Sequence, residues 1–169
     1  MRLYIPPSLE EARRVVPGID EERFRKWRCE GAVELVLEDV YEVENGSAYV
    51  FKERTELALT GHRVEPVERC NRKLYILNPD NTYILIIEKV KIPRDILPID
   101  FRPRSSIVRA GWNIATANID PGFEGNLIVT LYSKSRVTLY LEEKCRIVQV
   151  RFLKLDTELE GYRGQWSNE

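Results

Sequence analysis

Residues 32–43 read A-V-E-L-V-L-E-D-V-Y-E-V, and apolar and polar side chains alternate along much of this stretch. A period of two is typical of a β-strand with one buried face. Asn45-Gly46 predicts a turn. Further strands are predicted near residues 48–51, 56–59, 73–77, 82–92, 114–119, 126–133, 136–141 and 146–155. Many short strands separated by Asn, Pro and Gly predict an all-β, mainly antiparallel barrel or jelly-roll-like sandwich.

Two short helices are predicted before the first strand. Ser8 and Glu11 have the spacing of a capping box, which predicts a helix that runs to about Val15 and ends at Pro17-Gly18. Asp20 is a candidate N-cap for a second helix, because acidic residues follow it at the favourable end of the helix dipole.

Length and charge exclude several classes of protein. The 169 residues suit one domain, with a helical segment at 1–30 and a mobile tail at 161–169. With 26 Lys+Arg against 27 Asp+Glu, the formal net charge is −1, which argues against a general nucleic-acid binder. No apolar run is long enough to span a membrane, and the N-terminus lacks the features of a signal peptide, so a cytoplasmic protein is expected. Two Gln, a single Met and many charged residues resemble the pattern of hyperthermophile proteins.

Cysteine and histidine are too sparse for several kinds of site. Cys29, Cys70 and Cys145 form no C-x-x-C pair, which argues against a disulfide framework and a thiolate zinc site. We expect them to be small buried hydrophobes. His62 is the one histidine, so a mechanism that needs two imidazoles is excluded within one chain. Carboxylate chemistry is therefore the leading possibility.

Residues 102–111 read R-P-R-S-S-I-V-R-A-G, a pattern that suits a phosphate site. Ser106 is a candidate N-cap of a short helix that Gly111 ends. Free backbone amides at such a helix start attract phosphate. The polar residues around this start are Arg104, Ser105, Ser106 and Arg109. A well-capped surface helix with ordinary basic residues explains the same pattern.

Residues 119–126 read I-D-P-G-F-E-G-N and lie between two predicted strands. Asp-Pro-Gly is ordinary turn chemistry, which explains much of this pattern. It does not explain the aromatic Phe123 at the tip, nor a strand exit expected to hold Asp120 on rigid structure. A carboxylate held in this way is able to orient and deprotonate a water molecule.

Two later segments also carry polar residues in unusual places. Gln149 and Arg151 are predicted on the same strand face as Ile147, and a buried amide needs hydrogen-bond partners. A partly solvated strand face explains them equally well. Residues 161–166 read G-Y-R-G-Q-W and are either disordered or close over a ligand.

In their order and spacing, these segments resemble the dUTPase and dCTP deaminase superfamily, and most closely its archaeal-type dUTPases. The matching patterns are R-S-S at 104–106, I-D-P-G-F-x-G at 119–125, R-x-x-Q at 146–149 and Y-R-G at 162–164. In the first motif, Glu34 lies where the family has an Asp, and Val36 lies where deaminases often have an Arg. The resemblance implies a homotrimer of distorted, jelly-roll-like β-barrels, with active sites at subunit interfaces and a tail that closes over the nucleotide.

The resemblance also implies roles for individual residues. Asp120 matches the carboxylate that activates the attacking water, and Phe123 matches the aromatic that packs on the deoxyribose. The other implied substrate-binding residues are Arg104, Ser105, Ser106, Arg109, Ala117, Asn118, Gln149, Tyr162, Arg163 and Trp166. Mg²⁺ is the implied cofactor, with Glu34 as a water-mediated ligand. Four arginines are expected to gather around a triphosphate, namely Arg104, Arg109, Arg146 and Arg163.

Three activities remain open at this point. Zinc-dependent nucleotide deaminases need H-x-E and P-C-x-x-C, and the sequence has neither. Metal-independent dCTP deaminases of the superfamily use a Glu ten positions beyond the motif Asp. Thr130 stands there instead, and a hydroxyl is a poor general acid or base near neutral pH, which favours an Mg-dependent dUTP diphosphatase. The alternatives are a dCTP deaminase, alone or bifunctional with dUTPase activity, and a non-catalytic nucleotide-binding protein of the same fold.

Overall fold

The computed structural model describes residues 1–164, which form two antiparallel sheets and three short helices. The helices are α1 (Leu9–Val15), α2 (Glu21–Glu30) and α3 (Ser105–Arg109). The strands are β1 (Arg2–Leu3), β2 (Val33–Val50), β3 (Thr55–Arg63), β4 (Val67–Arg69), β5 (Arg72–Leu77), β6 (Thr82–Lys91), β7 (Ile96–Pro103), β8 (Trp112–Ala115), β9 (Glu124–Ser133), β10 (Leu139–Glu142) and β11 (Arg146–Lys154). Over these residues, no helix is long and apolar enough to cross a membrane.

The larger sheet curls because its longest strand changes partners. Its order is β1-β11-β2-β6-β9-β8, with β7 also on β11 and β3 also on β2. β2 pairs with β11 through residues 33–36 and with β6 through residues 37–43. The smaller sheet has the order β10-β5-β4. The result is a distorted, jelly-roll-like half-barrel, which confirms the predicted all-β fold class.

Helices α1 and α2 cover part of the barrel and begin where the sequence predicts. The Ser8 hydroxyl accepts a hydrogen bond from the Glu11 amide at 3.1 Å, and the Asp20 carboxylate accepts one from the Arg23 amide at 2.8 Å. Trp27 of α2 is fully buried against the core, and its ring centroid lies 5.6 Å from that of Phe152. The caps therefore fix the helix starts, and apolar burial fixes their position on the barrel.

The predicted turn at Asn45-Gly46 is wrong. Both residues lie inside β2 and pair with Thr60 and Leu59 of β3, after a register shift. A Cβ on Gly46 would lie 2.3 Å from the Ala58 carbonyl oxygen, so glycine permits close strand approach here and not a turn. The hairpin instead turns at residues 51–54.

The expectation of three buried cysteines is also wrong for two of them. Cys29 and Cys70 are exposed, and Cys145 is half-buried. Cys29 lies near the end of α2, and Cys70 has a left-handed φ of 55° between β4 and β5. Their exposure follows from the helix end and the turn that carry them.

Candidate active site

The segment that carries Asp120 is a tight connection between β8 and β9. β8 ends at Ala115, so the predicted strand through residue 119 is four residues too long. The connection is held instead by backbone hydrogen bonds to Ile92, the residue that follows β6. The Gly122 amide donates to the Ile92 carbonyl and the Ile92 amide donates to the Phe123 carbonyl, both at 2.8 Å. The segment around Asp120 is therefore tied to the residue after β6 and does not depend on an extension of β8.

A pocket of about 410 Å³ lies beside this connection. Five predicted site residues line it: Ala117, Asn118, Asp120, Phe123 and Tyr162. The rest of the lining comes from β3, β7, β9, Thr116 and Ile119, and it includes Leu57, which no motif indicated. Among the described lining residues, Asp120 is the sole carboxylate. The pocket thus combines an apolar wall with a single acidic group, which suits a base and sugar beside a reacting centre.

The start of the predicted tail packs against the same connection. The Tyr162 ring stands edge-on to Phe123, with 5.5 Å between ring centroids. Gly122 has a φ of +87°, and a Cβ there would lie 2.7 Å from the Tyr162 nitrogen. Arg163 is exposed and pairs with Glu160. Trp166 lies outside the described residues, so its role stays a prediction.

A second group of polar side chains lies across three neighbouring strands. Gln149 of β11 is directly opposite Glu34 of β2 and Arg102 of β7. The predicted shared face of Ile147 and Gln149 is wrong, because a bulge in β11 buries Ile147 and the next residue, Val148, together. Gln149 itself is half-buried on the opposite face.

Glu34 is the centre of this second group. Its side chain is 1% exposed and forms ion pairs with Lys26 of α2, Arg104 (3.4 Å) and Arg146 (3.5 Å). Arg146 also pairs with Glu22 at 3.2 Å. We name Lys26, Arg104 and Arg146 the basic cluster. Sequence motifs indicated its two arginines but not Lys26, which lies on a helix outside every motif.

The remaining predicted phosphate ligands lie on α3. Arg104 precedes this helix, which begins at Ser105, so the predicted cap at Ser106 is wrong, and no side chain caps it. Ser105, Ser106 and Arg109 are exposed. Within residues 1–164, no ion pair or hydrogen bond joins Arg109 or Arg163 to the basic cluster, and the gathering of four arginines around a triphosphate stays a prediction.

The basic cluster and the pocket are separate parts of one chain. Arg104, Ser105, Ser106 and Gln149 do not line the pocket that contains Asp120. The groups expected to bind phosphate therefore lie outside the lining of the pocket that contains Asp120.

The residues present do not suit a resident Mg²⁺ ion. Mg²⁺ prefers carboxylate oxygens together with substrate phosphates. Glu34 is surrounded by cations, and Asp120 has no second carboxylate beside it in the described pocket lining. Three ligand-type side chains come together elsewhere, on β2 and β3, namely Glu42, Glu44 and His62.

Thr130 lies on β9, just outside the lining of the pocket. Asn126 and Ile128 line the pocket, and Thr130 follows them at the same alternation. Successive even positions of a strand face the same side. Thr130 is half-buried and pairs with Ala115 and Ile84.

A family profile described as dCTP deaminase-like matches residues 19–155. The chain belongs to this dCTP deaminase-like family. The resemblance found in the sequence is therefore confirmed, and relatives of the chain are named as dUTP nucleotidohydrolases or as dCTP deaminases. A probable deoxyuridine 5′-triphosphate nucleotidohydrolase of Methanococcoides burtonii is 30% identical over 139 residues, which cover 81% of this chain and 79% of that protein.

Other relatives of this dCTP deaminase-like chain are named dCTP deaminase. A dCTP deaminase of Pyrococcus abyssi is 38% identical over 95 residues, which are 56% of this chain and 61% of that protein. Matches to three curated relatives span only 48–61% of their lengths. The crystal structure of the dCTP deaminase from Agrobacterium tumefaciens has a TM-score of 0.53 at 17% identity, covering 72% of this chain and 38% of that one. This likeness concerns the fold.

Proposed function

We propose that the chain is a dUTP diphosphatase that converts dUTP, with its accompanying Mg²⁺, to dUMP and pyrophosphate. The observation that carries the proposal is the composition of the pocket. Asp120 is the single carboxylate among its described lining residues. On β9, just outside that lining, Thr130 occupies the position at which the resemblance implies a Glu in the deaminases. One carboxylate suffices to activate water, whereas deamination needs a group that moves protons at the pyrimidine.

The chemistry assigned to the pocket is an in-line displacement at phosphorus. The Asp120 carboxylate accepts a proton from water, and the water oxygen forms a bond to the α-phosphorus. The bond from that phosphorus to the α,β-bridging oxygen breaks, and pyrophosphate leaves with the electron pair. Phe123 packs on the deoxyribose, and the backbone around Ala117 and Asn118 faces the base. Positioning and electrostatics supply most of the rate in such reactions.

We further propose that the protein is cytoplasmic and that its working unit is the homotrimer that the resemblance implies. The separation of the pocket from the basic cluster supports this proposal. A neighbouring subunit would bring Arg104, Ser105, Ser106 and Gln149 to the phosphates of a nucleotide held by Asp120 and Phe123. Arginine and hydroxyl groups suit phosphate oxygens through charge-assisted hydrogen bonds. Mg²⁺ would enter with the triphosphate, bound to its oxygens.

A dCTP deaminase is the second candidate, because relatives at 35–38% identity carry that name. Such an enzyme would release ammonium from dCTP. A protein that binds dUTP tightly without forming product would support the third, non-catalytic possibility.

The test is pyrophosphate release from Mg–dUTP by the wild type and two variants. Asp120→Asn removes the proposed base and should lower kcat by about 10²-fold or more. Asp80→Asn is the matched control, because Asp80 is exposed between β5 and β6, and should keep the wild-type rate. Equal rates for the three proteins would overturn the assignment of Asp120.

A further inference from the structure

The basic cluster contains more positive charge than Glu34 requires. A carboxylate buried to 1% exposure needs a partner of opposite charge. Glu34 has three, and each of them keeps an exposed part: the side chains of Lys26, Arg104 and Arg146 are 33%, 41% and 23% exposed. The second carboxylate nearby, on Glu22, is 80% exposed and is screened by solvent. The cluster therefore has cationic surface available to an external anion.

The Glu34 carboxylate is also incompletely satisfied. Its Oε2 atom is buried and accepts no hydrogen bond among the described residues, although Arg104 Nε lies 3.4 Å away. Its Oε1 atom contacts Lys26, with Arg146 at 3.5 Å. Both oxygens thus hold cations at ion-pair distance. This arrangement orients three long side chains that would otherwise repel one another.

Hydrogen bonds and an ion pair between helix α2 and the sheet hold the backbone at Glu34 in place. The Arg23 guanidinium donates to the Glu34 carbonyl at 2.9 Å and pairs with Glu88, which in turn accepts from the Val36 amide. Lys26 is on the same helix as Arg23. One helix therefore holds both the backbone and the side chain of Glu34.

We propose that Lys26 is a third phosphate-binding residue beside Arg104 and Arg146, and that Glu34 is the positioning residue that preassembles them. The identity of the anion, a nucleoside triphosphate, rests on the proposed function. In this account Glu34 acts through the cations and not through a metal ion. A preassembled set of cations loses less side-chain entropy when phosphate binds.

The test uses inorganic tripolyphosphate as the probe and calorimetric titration of the full-length chain. Lys26→Ala should weaken binding about tenfold, the typical effect of losing one charge-assisted contact. Lys73→Ala removes the same charge from an exposed site on β5 in the other sheet and should stay within about twofold. Equal affinities for these two variants would overturn the role of Lys26, as would a wild type that binds no tripolyphosphate.

The Glu34→Gln variant distinguishes a positioning role of Glu34 from a purely electrostatic role. The variant makes the site more positive, so a purely electrostatic role predicts tighter binding. Positioning predicts weaker binding, about fivefold or more, with partial recovery in Glu34→Asp, which restores the charge on a shorter side chain. Unchanged or tighter binding by a folded Glu34→Gln would overturn the proposal, and if that variant does not fold, Lys26→Ala decides. With dUTP, KM should rise for Lys26→Ala while kcat changes little.

Binding and turnover distinguish this inference from the proposed function. Tripolyphosphate affinity that depends on Lys26 and Glu34, in a protein that releases no pyrophosphate from dUTP, supports the cluster and rejects the diphosphatase. Full dUTP turnover with affinities insensitive to both residues supports the diphosphatase and rejects the cluster.

Discussion

The ion pair between Arg23 and Glu88 is almost completely buried, with side chains 4% and 6% exposed. Two guanidinium nitrogens face the two carboxylate oxygens, and the same groups bind the carbonyls of Glu34 and Gly18 and the amide of Val36. Val36 lies where β2 changes from β11 to β6, so Glu88 satisfies an amide at the point of exchange. The pair therefore joins helix α2 to the strand that carries Glu34.

Glu88→Gln leaves the Arg23 charge buried with one weak ion-pair partner, the Asp20 carboxylate, which lies 3.8 Å from Arg23 Nε and is 63% exposed. Breaking a buried ion pair from one side lowers the free energy of unfolding by about 3–5 kcal/mol. For a chain of this size each kcal/mol shifts Tm by about 2–4 °C, so Tm should fall by roughly 6–20 °C. Thermal and guanidinium unfolding followed by circular dichroism measure both quantities.

Glu21→Gln is the matched control for this prediction. It removes the same charge from the Glu21–Arg25 pair, whose side chains are 67% and 72% exposed. An exposed pair of this spacing contributes about 0.5 kcal/mol or less. Raising NaCl to about 1 M should abolish the small effect of the control but not the effect of Glu88→Gln, because buried pairs are screened less. A Tm loss of similar size in both variants would show that burial does not make the Arg23–Glu88 pair more important than an exposed pair.

Three further predictions concern single residues. Gly122→Ala places a side chain at a φ of +87°, against the backbone of Gly161 and Tyr162, and should lower the free energy of unfolding by more than about 1–2 kcal/mol and raise the KM for dUTP. The control is Gly18→Ala, whose added Cβ meets no atom closer than 3.5 Å and should change neither quantity. Melting curves and dUTP kinetics measure both effects. Burial raises the pKa of the Cys145 thiol to about 11, so the unfolded thiol ionises first and the free energy of unfolding should fall as the pH rises from about 9 to 11. Cys145→Ala should reduce that fall in urea titrations at the two pH values, and an identical slope would contradict it. Asp20→Ala removes the acceptor at the start of α2 and should destabilise the protein by about 1 kcal/mol in the same titrations; no change would show that the cap is dispensable.

Local signals in the sequence predict local structure well here. Ser8 and Asp20 each cap a helix as expected, since the donor and acceptor are three residues apart. The β-period after residue 32 identifies β2 because alternation reports one buried face. Asn45-Gly46 misleads, because pairing with β3 and the close approach of that strand decide its conformation.

Contacts between distant segments set the limits of sequence reasoning about the site. β7 was not predicted, and its prolines at 98 and 103 argue against a strand, yet it pairs with β11. Lys26 follows a helical period that says nothing of its partner eight residues later on β2. Glu34 is identifiable only as part of a motif, and its three cations come from α2, the end of β7 and β11. The positions of these three cations relative to Glu34 depend on the order of the strands in the sheet, which local sequence patterns do not specify.

The proposed activity is tested most directly by the products that the wild-type protein forms from dUTP and from dCTP in the presence of Mg²⁺. Phosphorus NMR reports dUMP and pyrophosphate, and an ammonium assay reports deamination in the same samples. We predict dUMP and pyrophosphate from dUTP and no ammonium from dCTP. Ammonium released from dCTP by this protein, with Thr130 in place, would contradict the assignment.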